Sequence, residues 1–581
     1  MKIITLHCDY IKFKPLKKAI TKAEELKNKE EQHIKEALVV LTAVEKGDND
    51  QSVKEMLEAV KKTASDVKTK NLVLYPYAHL SSNLSDPQTA LEYMVEAEHT
   101  LRKEGYNVIR APFGYYKEFE LKVKGHPLSE LAKEFGKRTE RTVDAKSEAK
   151  SKAVKEEKEE NPSQLLREIS RSKLDTSKLK ENDHRILGQK LDLFSFNEAA
   201  PGQPFWHNNG LVIFNELVKF WREVHSEAEY QEISTPQILD NKVWKVSGHW
   251  KLYQENLFLT DYEDRNFAFK PMNCPGAMLV YRTKTRSYKD LPLRFGEVGV
   301  VHRKELSGVL SGLFRVIRIT QDDAHIFCVE EQLEDEITNV INLFKKMLDQ
   351  FGFKYTFTLS VRSEDKKEKY LGDDKLWISA EDALANALKK LKIKFQTMQG
   401  EAKFYGPSLD VQIRDSLNRE WQCSTLQLDF NTPKRFELEY TGKDNKQYTP
   451  IVLHRTVYGS MERFIGVLLE HLNGALPLWL SPVQVRVINF TDRNTKAAEK
   501  ILKQIKENIP NIRVETDFES TTVSDKVRNA ELMKIPYIIV IGDKEEANNT
   551  LAVRERGKKP VFSVKIADFI KEVTDKIEKR I

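Results

Sequence analysis

The sequence predicts a multidomain chain of α/β and α+β bodies, and three observations predict it. Its 581 residues are too many for one core and correspond to roughly three or four domains. One stretch, Lys137–Glu160, is charged or small almost throughout, with Val143 and Val154 as its bulky apolar residues. It cannot bury a face and reads as a solvated helix or a flexible linker. On both sides of it, strand-like apolar runs alternate with segments of helical spacing. The composition, 40% hydrophobic and 31% charged, is that of globular domains and excludes fibrous or wholly disordered chains. A net charge of +6 permits a polyanionic partner without requiring one. Four cysteines are too sparse for a disulfide framework and point to a reducing compartment. The opening MKIITLHCDY reads as a buried strand rather than a leader. No apolar run reaches the roughly 18 residues of a membrane span. A cytoplasmic protein with no membrane segment is expected.

The first domain is expected over residues 1–136. Ile3–Leu6, Leu38–Val44, Asn71–Tyr75 and Asn107–Ala111 read as strands, and Ser52–Val67 as a helix with Val53, Met56, Leu57 and Val60 on one face. Residues 137–182 form the charged linker, in which Asn161-Pro162-Ser163 is a helix-start signal. Residues 183–482 form a longer, strand-rich body. Residues 483–581 read as strand Val485–Asn489, helix Thr495–Glu507, strand Arg513–Glu515, helix Ser524–Met533 and strand Tyr537–Ile541. That alternation predicts a small α/β domain with a parallel sheet.

Two segments of the central body carry chemistry. Leu293–Cys328 reads as an antiparallel hairpin. Its first strand ends in His302-Arg303-Lys304-Glu305, a Gly/Ser-rich loop runs to Gly312, and the second strand carries Arg315 towards Asp323 and His325. An Arg and a Glu two apart on a strand share a face and can meet one ligand. A guanidinium fork suits phosphate oxygens, and a carboxylate suits an amine or a metal ion. A surface ion pair beside a turn fits the same residues. In Ile451–Leu472 an apolar strand ends near His454, Gly459-Ser460 breaks it, and an amphipathic helix begins at Met461. Arg463 then sits in the first helical turn, where a cation opposes the helix dipole and makes more sense facing an anion. A solvent-facing arginine is the alternative.

These segments, with KPMNCPGA (Lys270–Ala277), TQDDAHIF (Thr320–Phe327), FYGPSLD (Phe404–Asp410), REWQCSTLQLDF (Arg419–Phe430) and HRTVYGSMERF (His454–Phe464), resemble the signature motifs of class II aminoacyl-tRNA synthetases, and more closely those of the threonyl-tRNA synthetases. The resemblance implies a central antiparallel sheet flanked by helices and a homodimer formed through Gly210–Asp240. It implies a threonine–tRNA ligase that makes threonyl-adenylate from ATP with Mg²⁺ and passes threonine to tRNA(Thr). By motif, Arg303 is implied to hold the α-phosphate, Arg463 the γ-phosphate and Glu305 the adenine amino group. Arg315 is implied to contact phosphate or the threonine carboxylate. Cys274, His325 and His454 fall on the family's zinc positions, one Zn²⁺ per subunit. Their spacing alone carries no signal, and composition alone favours three buried core residues; the resemblance reverses that. A zinc with an open position can take the amine and hydroxyl of threonine together, which valine cannot offer. Asp323 is implied to meet the substrate ammonium, with Gln321, Tyr405, Gln422, Gln427 and Ser460 lining the pocket. Ile319, Ala277 and Ser408 stand where an aromatic residue, His and Lys are common in the family.

Serine poses a separate problem, because it lacks only a methyl group, worth about 1–3 kcal/mol. A second, hydrolytic site is the expected answer. HCDY (His7–Tyr10), YPYAHLSS (Tyr75–Ser82), APFGYYKEFEL (Ala111–Leu121) and KGHPLSEL (Lys124–Leu131) resemble the editing domain of archaeal threonyl-tRNA synthetases, itself similar to D-aminoacyl-tRNA deacylases. That implies an archaeal source and hydrolysis of mischarged seryl-tRNA(Thr). Lys117, Tyr116, His79, His126 and Glu130 are the candidates around the ester. His126 and Glu130, four apart, also fit an intrahelical pair, and Cys8 reads as a small buried strand residue. The C-terminal domain resembles the anticodon-binding domain of the same synthetases. Its 20 Lys/Arg against 16 Asp/Glu over residues 484–581 is a small excess. Glu545 and Arg554, flanking the loop GDKEEANNTLAVRER, match positions that contact anticodon bases; a solvated loop is the alternative. A synthetase for serine or proline and a non-catalytic RNA-binding paralogue are the competing readings. TQDDAH and MNCPGA oppose the first, and Arg303, Glu305 and Arg463 oppose the second.

Overall fold

A computed structural model describes residues 1–135 apart from 21–22, 27–29, 82 and 127; Ser163, Leu166 and Arg167; and residues 179–581 apart from 249, 251–253, 264, 364, 366–369, 371–373 and 404. The charged linker expected over 137–182 therefore lies almost wholly outside the described residues. The chain divides into two units, residues 1–155 and 156–581.

In the first unit, β1 (Lys2–Lys18) and β2 (Gln32–Ala43) lead into α1 (Asp50–Asp66), β3 (Asn71–Pro76), α2 (Pro87–Lys103), β4 (Asn107–Arg110), β5 (Tyr115–Val123) and β6 (Glu130–Glu134). Asn49 accepts from the Gln51 and Ser52 N–H groups to cap α1, and Asp86 caps α2 ahead of Pro87. The strand order is β4-β3-β2-β1-β5, parallel through β4, β3 and β2, with β1 antiparallel to its neighbours. β1 is long enough to serve two partners on one edge, β6 along Lys2–Leu6 and β5 from Cys8 to Lys18. Side-chain alternation splits β2. Leu38 and Val40 pack under α1 and α2 with Val53, Met56 and Val60, while Val39 and Leu41 pack with Ile11, Phe13 and Tyr75 on the other face. Cys8 is fully buried there, and burial pushes its thiol up to about 11. Glu130 opens a strand, so the intrahelical pairing with His126 does not exist.

The second unit is built on an eight-stranded sheet. Its elements include α3 (His184–Lys190), α4 (Asn208–Glu227), β7 (Gln231–Glu232), α5 (Cys274–Tyr281), β8 (Leu293–His302), β9 (Arg318–Cys328), α6 (Leu333–Asp349), β10 (Lys354–Val361), α7 (Asp374–Lys390), β11 (Phe395–Gln399), β12 (Ser408–Arg414), β13 (Glu420–Asp429), β14 (Ile451–Thr456) and α8 (Met461–His471). The order is β11-β10-β12-β13-β14-β9-β8-β7, antiparallel except at its two edge pairs. Helices α4, α6, α7 and α8 cover one face, packing against Ile326, Leu409, Val411, Leu426, Leu428 and Leu453. The opposite face is left for a cavity. The expected hairpin is present as β8 and β9, but both strands are shorter than expected: Arg303, Glu305 and Arg315 lie in the connection rather than on the ladder.

Beyond it, β15 (Val485–Asn489), α9 (Thr495–Asn508), β16 (Val514–Asp517), α10 (Val523–Leu532), β17 (Tyr537–Ile541), α11 (Asp543–Asn548), β18 (Thr550–Glu555), β19 (Val561–Lys565) and α12 (Ile566–Glu578) form a five-stranded sheet in the order β16-β15-β17-β18-β19. It is parallel over the first three strands, as expected, but β18 and β19 add antiparallel strands. The segment read as a loop, 542–556, is mostly α11 and β18.

Beside the cavity, Lys270 Nζ meets Glu297 Oε1 at 2.9 Å and Thr235 Oγ1 at 2.8 Å, with both charged side chains buried. Removing one member leaves a buried charge, so Lys270→Met should cost about 3–5 kcal/mol. In urea unfolding its midpoint should fall clearly, and the double variant Lys270→Met/Glu297→Leu should recover most of the loss.

Candidate active site

Pleat geometry decides what faces the cavity. Ile319, Gln321, Asp323 and His325, alternate residues of β9, line it. So do Thr425, Gln427 and Asp429 of β13, and His454 and Thr456 of β14. With Cys274, Arg303, Tyr405, Gln422, Ser460 and Arg463 they enclose about 820 Å³. Asp323 accepts from Asn273 Nδ2 at 3.2 Å, and burial pushes its carboxyl up to about 6 against the pull of His454. Tyr405 donates to Gln427 Oε1 at 2.6 Å, and Gln422 donates to Asp410 Oδ1 at 2.7 Å. Arg303 Nε donates to the Pro271 carbonyl at 3.1 Å. Ser460 caps α8 by accepting from Arg463 N, and Arg463 Nε donates to the Phe314 carbonyl at 3.1 Å. The surrounding walls lower the Arg463 guanidinium from its ordinary range, and the charges of Arg315 and Arg303 add to that. Glu305 and Arg315 do not line the cavity; they pair with each other at 2.8 Å. Of the three departures from the family pattern, Ile319 faces the cavity. Ala277 is buried in α5, and Ser408 is buried with its hydroxyl on Asp410 at 3.3 Å.

The donor atoms of Cys274, His325 and His454 lie within 4.8 Å of one another. His325 and His454 are direct cross-strand partners, and Cys274 starts α5. Burial, with His454, Arg455 and Lys270 nearby, holds the His325 imidazole well below its usual range and therefore neutral. Its Nε2 is buried and finds no hydrogen-bond partner among the described residues. His454 Nε2 is oriented by Asp429 Oδ2 at 3.0 Å. One thiol and two imidazoles, one of them with an orphaned nitrogen, are a donor set that fits zinc with a position left open. A second group, Asp183, His184 and Glu470, is already satisfied by hydrogen bonds to itself and to Leu313 N–H.

Three carboxylates that sequence reasoning missed hold this arrangement. Asp322, on the far side of β9, accepts from the Val457, Tyr458 and Gly459 N–H groups at 2.9–3.1 Å, fixing the turn before α8. Glu462 accepts from Thr320 N and Ser460 Oγ, both at 2.9 Å. Asp429 orients His454; burial alone would raise its carboxyl, but hydrogen bonds from His454 and Thr432 hold it below the usual range. The available signal was a doubled aspartate inside an apolar strand, which must place one carboxylate on each face.

In the first unit, the candidate residues fall into two groups. Lys117 Nζ donates to the carbonyls of Pro112 and Tyr115 at 2.9 and 3.0 Å and sits 5.1 Å from the Tyr75 ring. Tyr75 neighbours Tyr77, which neighbours His79. Tyr116 is exposed. His126 Nε2 lies instead 2.8 Å from His7 Nδ1, and Glu130 pairs in register with Leu6. Lys117 is in register with Pro15 of β1, but Tyr75, beside its ammonium, aligns through Leu41 with Ile4, at the end of β1 where Glu130 pairs with Leu6. In the second unit, Glu545 accepts from Gly542 N at 3.1 Å, and Arg554 pairs with Glu531.

Residues 1–135 match the family described as "Archaea-specific editing domain of threonyl-tRNA synthetase". Residues 256–472 match the "tRNA synthetase class II core domain (G, H, P, S and T)", and residues 484–576 an "Anticodon binding domain". A threonine–tRNA ligase of Desulforamulus reducens is 48% identical over 401 residues, 69% of this chain and 62% of that protein. The chain thus spans less than two thirds of the length of the curated relatives it matches. Among solved structures, the RNA binding domain of threonyl-tRNA synthetase from Cryptosporidium parvum is 36% identical with a TM-score of 0.64, over 68% of this chain and 98% of that one. Threonyl-tRNA synthetase ThrRS-1 from Aeropyrum pernix is 29% identical with a TM-score of 0.61, over 68% of this chain and 96% of that one.

Burial pulls the Lys117 ammonium down to about 8, against Glu24, which raises it. A lysine lowered in the folded state costs stability below that value, and the cost disappears as pH rises from 8 towards the unfolded value of about 10.4. NMR of ¹³C-labelled lysine should show one side chain titrating near 8 that disappears in Lys117→Met. Titration of every lysine near 10.4 would contradict the burial argument.

Proposed function

The chain belongs to the threonyl-tRNA synthetase family, and from that premise we propose that it is a threonine–tRNA ligase that also hydrolyses mischarged seryl-tRNA(Thr). In the first step, the threonine carboxylate attacks the α-phosphorus of ATP, forming the mixed anhydride and releasing pyrophosphate. In the second, a terminal ribose hydroxyl of tRNA(Thr) attacks the carbonyl and releases AMP. No covalent enzyme intermediate is needed, so positioning and charge stabilisation do the work. Arg303 holds the α-phosphate and Arg463 the γ-phosphate of ATP carried with Mg²⁺. ATP replaces the ion pair between Glu305 and Arg315, freeing Glu305 for the adenine amino group and Arg315 for phosphate or carboxylate oxygens. Asp323 takes the substrate ammonium, with Gln321, Tyr405, Gln422, Gln427 and Ser460 around it.

Cys274, His325 and His454 hold one zinc ion, which when bound supplies a Lewis-acid position for the amine and hydroxyl of the substrate. The observation that carries this reading is the partnerless buried Nε2 of His325 between a thiol and a second imidazole. Lys117, Tyr116, His79, His126 and Glu130 bind the terminal adenosine and ester of mischarged tRNA. Glu545 and Arg554 read anticodon bases, which requires Arg554 to leave Glu531. A homodimer through the segment 210–240 is supported by the exposed Leu211 and Ile238. The archaea-specific editing module supports an archaeal source, and four free cysteines support a cytoplasmic one. No helix among the described residues is long and apolar enough to cross a membrane.

ATP–pyrophosphate exchange tests this directly. Threonine should drive it, valine should be about 10⁴-fold poorer, and serine within about 10–200-fold of threonine. Seryl-tRNA(Thr) should accumulate in Lys117→Ala and not in the wild type. Exchange driven best by another amino acid, or none at all, would overturn the assignment.

A further inference from the structure

We propose that His184 is a positioning residue for the ATP side of the cavity, fixing the turn Ser311–Arg315 and through it Arg463 and Arg315 while touching neither substrate. This rests on the adenylate-forming reading above. His184 is fully buried at the start of α3. Its backbone N–H and its Nδ1 both meet Glu470 Oε1, at 3.0 and 2.7 Å, while Leu313 N–H donates to its Nε2 at 3.0 Å. A peptide N–H can only donate, so Nε2 carries the lone pair and Nδ1 carries the proton given to Glu470. One tautomer therefore joins a carboxylate of α8 to a peptide of the turn.

The turn is built to receive this ring. A Cβ on Gly312 would lie 2.3 Å from Nε2, and its φ of +50° lies in the region that favours glycine. The Phe314 ring centroid sits 4.1 Å from the imidazole and 4.4 Å from the Trp421 ring. The Phe314 carbonyl then accepts from Arg463 Nε, and the next residue, Arg315, pairs with Glu305. Two of the arginines assigned to phosphate contact thus hang on one short turn, and the imidazole is its buried anchor.

The test is steady-state exchange by the full chain, with ATP and threonine varied separately, in His184→Asn and His184→Gln. Asparagine can still donate to Glu470 but does not reach Leu313. Glutamine can place an amide oxygen where Nε2 lies. His184→Asn should raise the ATP KM about tenfold with threonine KM unchanged, and His184→Gln should restore most of it even if both lose similar stability. If His184→Asn folds poorly, Gly312→Ala should give the same selective effect from the other side of the contact. Equal stability loss in both variants with no change in ATP KM would overturn the proposal. So would a threonine KM that moves as far as that for ATP. If the wild type shows no threonine-dependent exchange, the adenylate reading fails, and the ATP Kd of the same variants by calorimetry still decides the role of His184.

Discussion

The register of β9 against β14 is the constraint on which the rest of the cavity depends. In it, Asp323 faces Thr456, His325 faces His454 and Ile326 faces Leu453. A slip of one residue would turn His325 into the helix-covered core and bring Ile326 into the cavity. Register is pinned from both faces. Ile326 and Leu453 are fully buried against the helices, and Asp322 ties β9 to the turn that follows β14. The strand that supplies a candidate metal ligand thus also aims α8, whose first turn carries Arg463.

Buried carboxylates recur around the cavity, each holding N–H groups or cations still. A carboxylate buried without partners is costly, but one that accepts several hydrogen bonds fixes each donor in direction. Asp322 does this for a backbone turn, Glu462 for Thr320 N and the Ser460 hydroxyl, and Glu470 for His184 and Arg419. Lys270 and Glu297 complete the set beneath Thr235.

Legibility in the sequence followed how local each signal was. The alternation of β15, α9, β16, α10 and β17 could be read within a residue or two, because each element carries its own apolar face. The strands β5 and β6 were not read. They are edge strands with mostly exposed, charged residues, YYKEFELKV and ELAKE, and nothing in their pattern marks a buried face. The antiparallel strands β18 and β19 were missed for a similar reason, as polar residues interrupt them. Motif resemblance pointed to Cys274, His325 and His454, whereas spacing could not, since three different elements bring them together. Glu462 and Glu470 needed the fold itself, because each acts on backbone or side chains distant in sequence.

Zinc K-edge X-ray absorption on the protein as purified tests the central claim most directly. The arrangement of Cys274, His325 and His454 predicts about one zinc per chain with one sulfur at about 2.3 Å and two imidazole nitrogens at about 2.0–2.1 Å. Absence of zinc, or a shell of nitrogen and oxygen without sulfur, would contradict it.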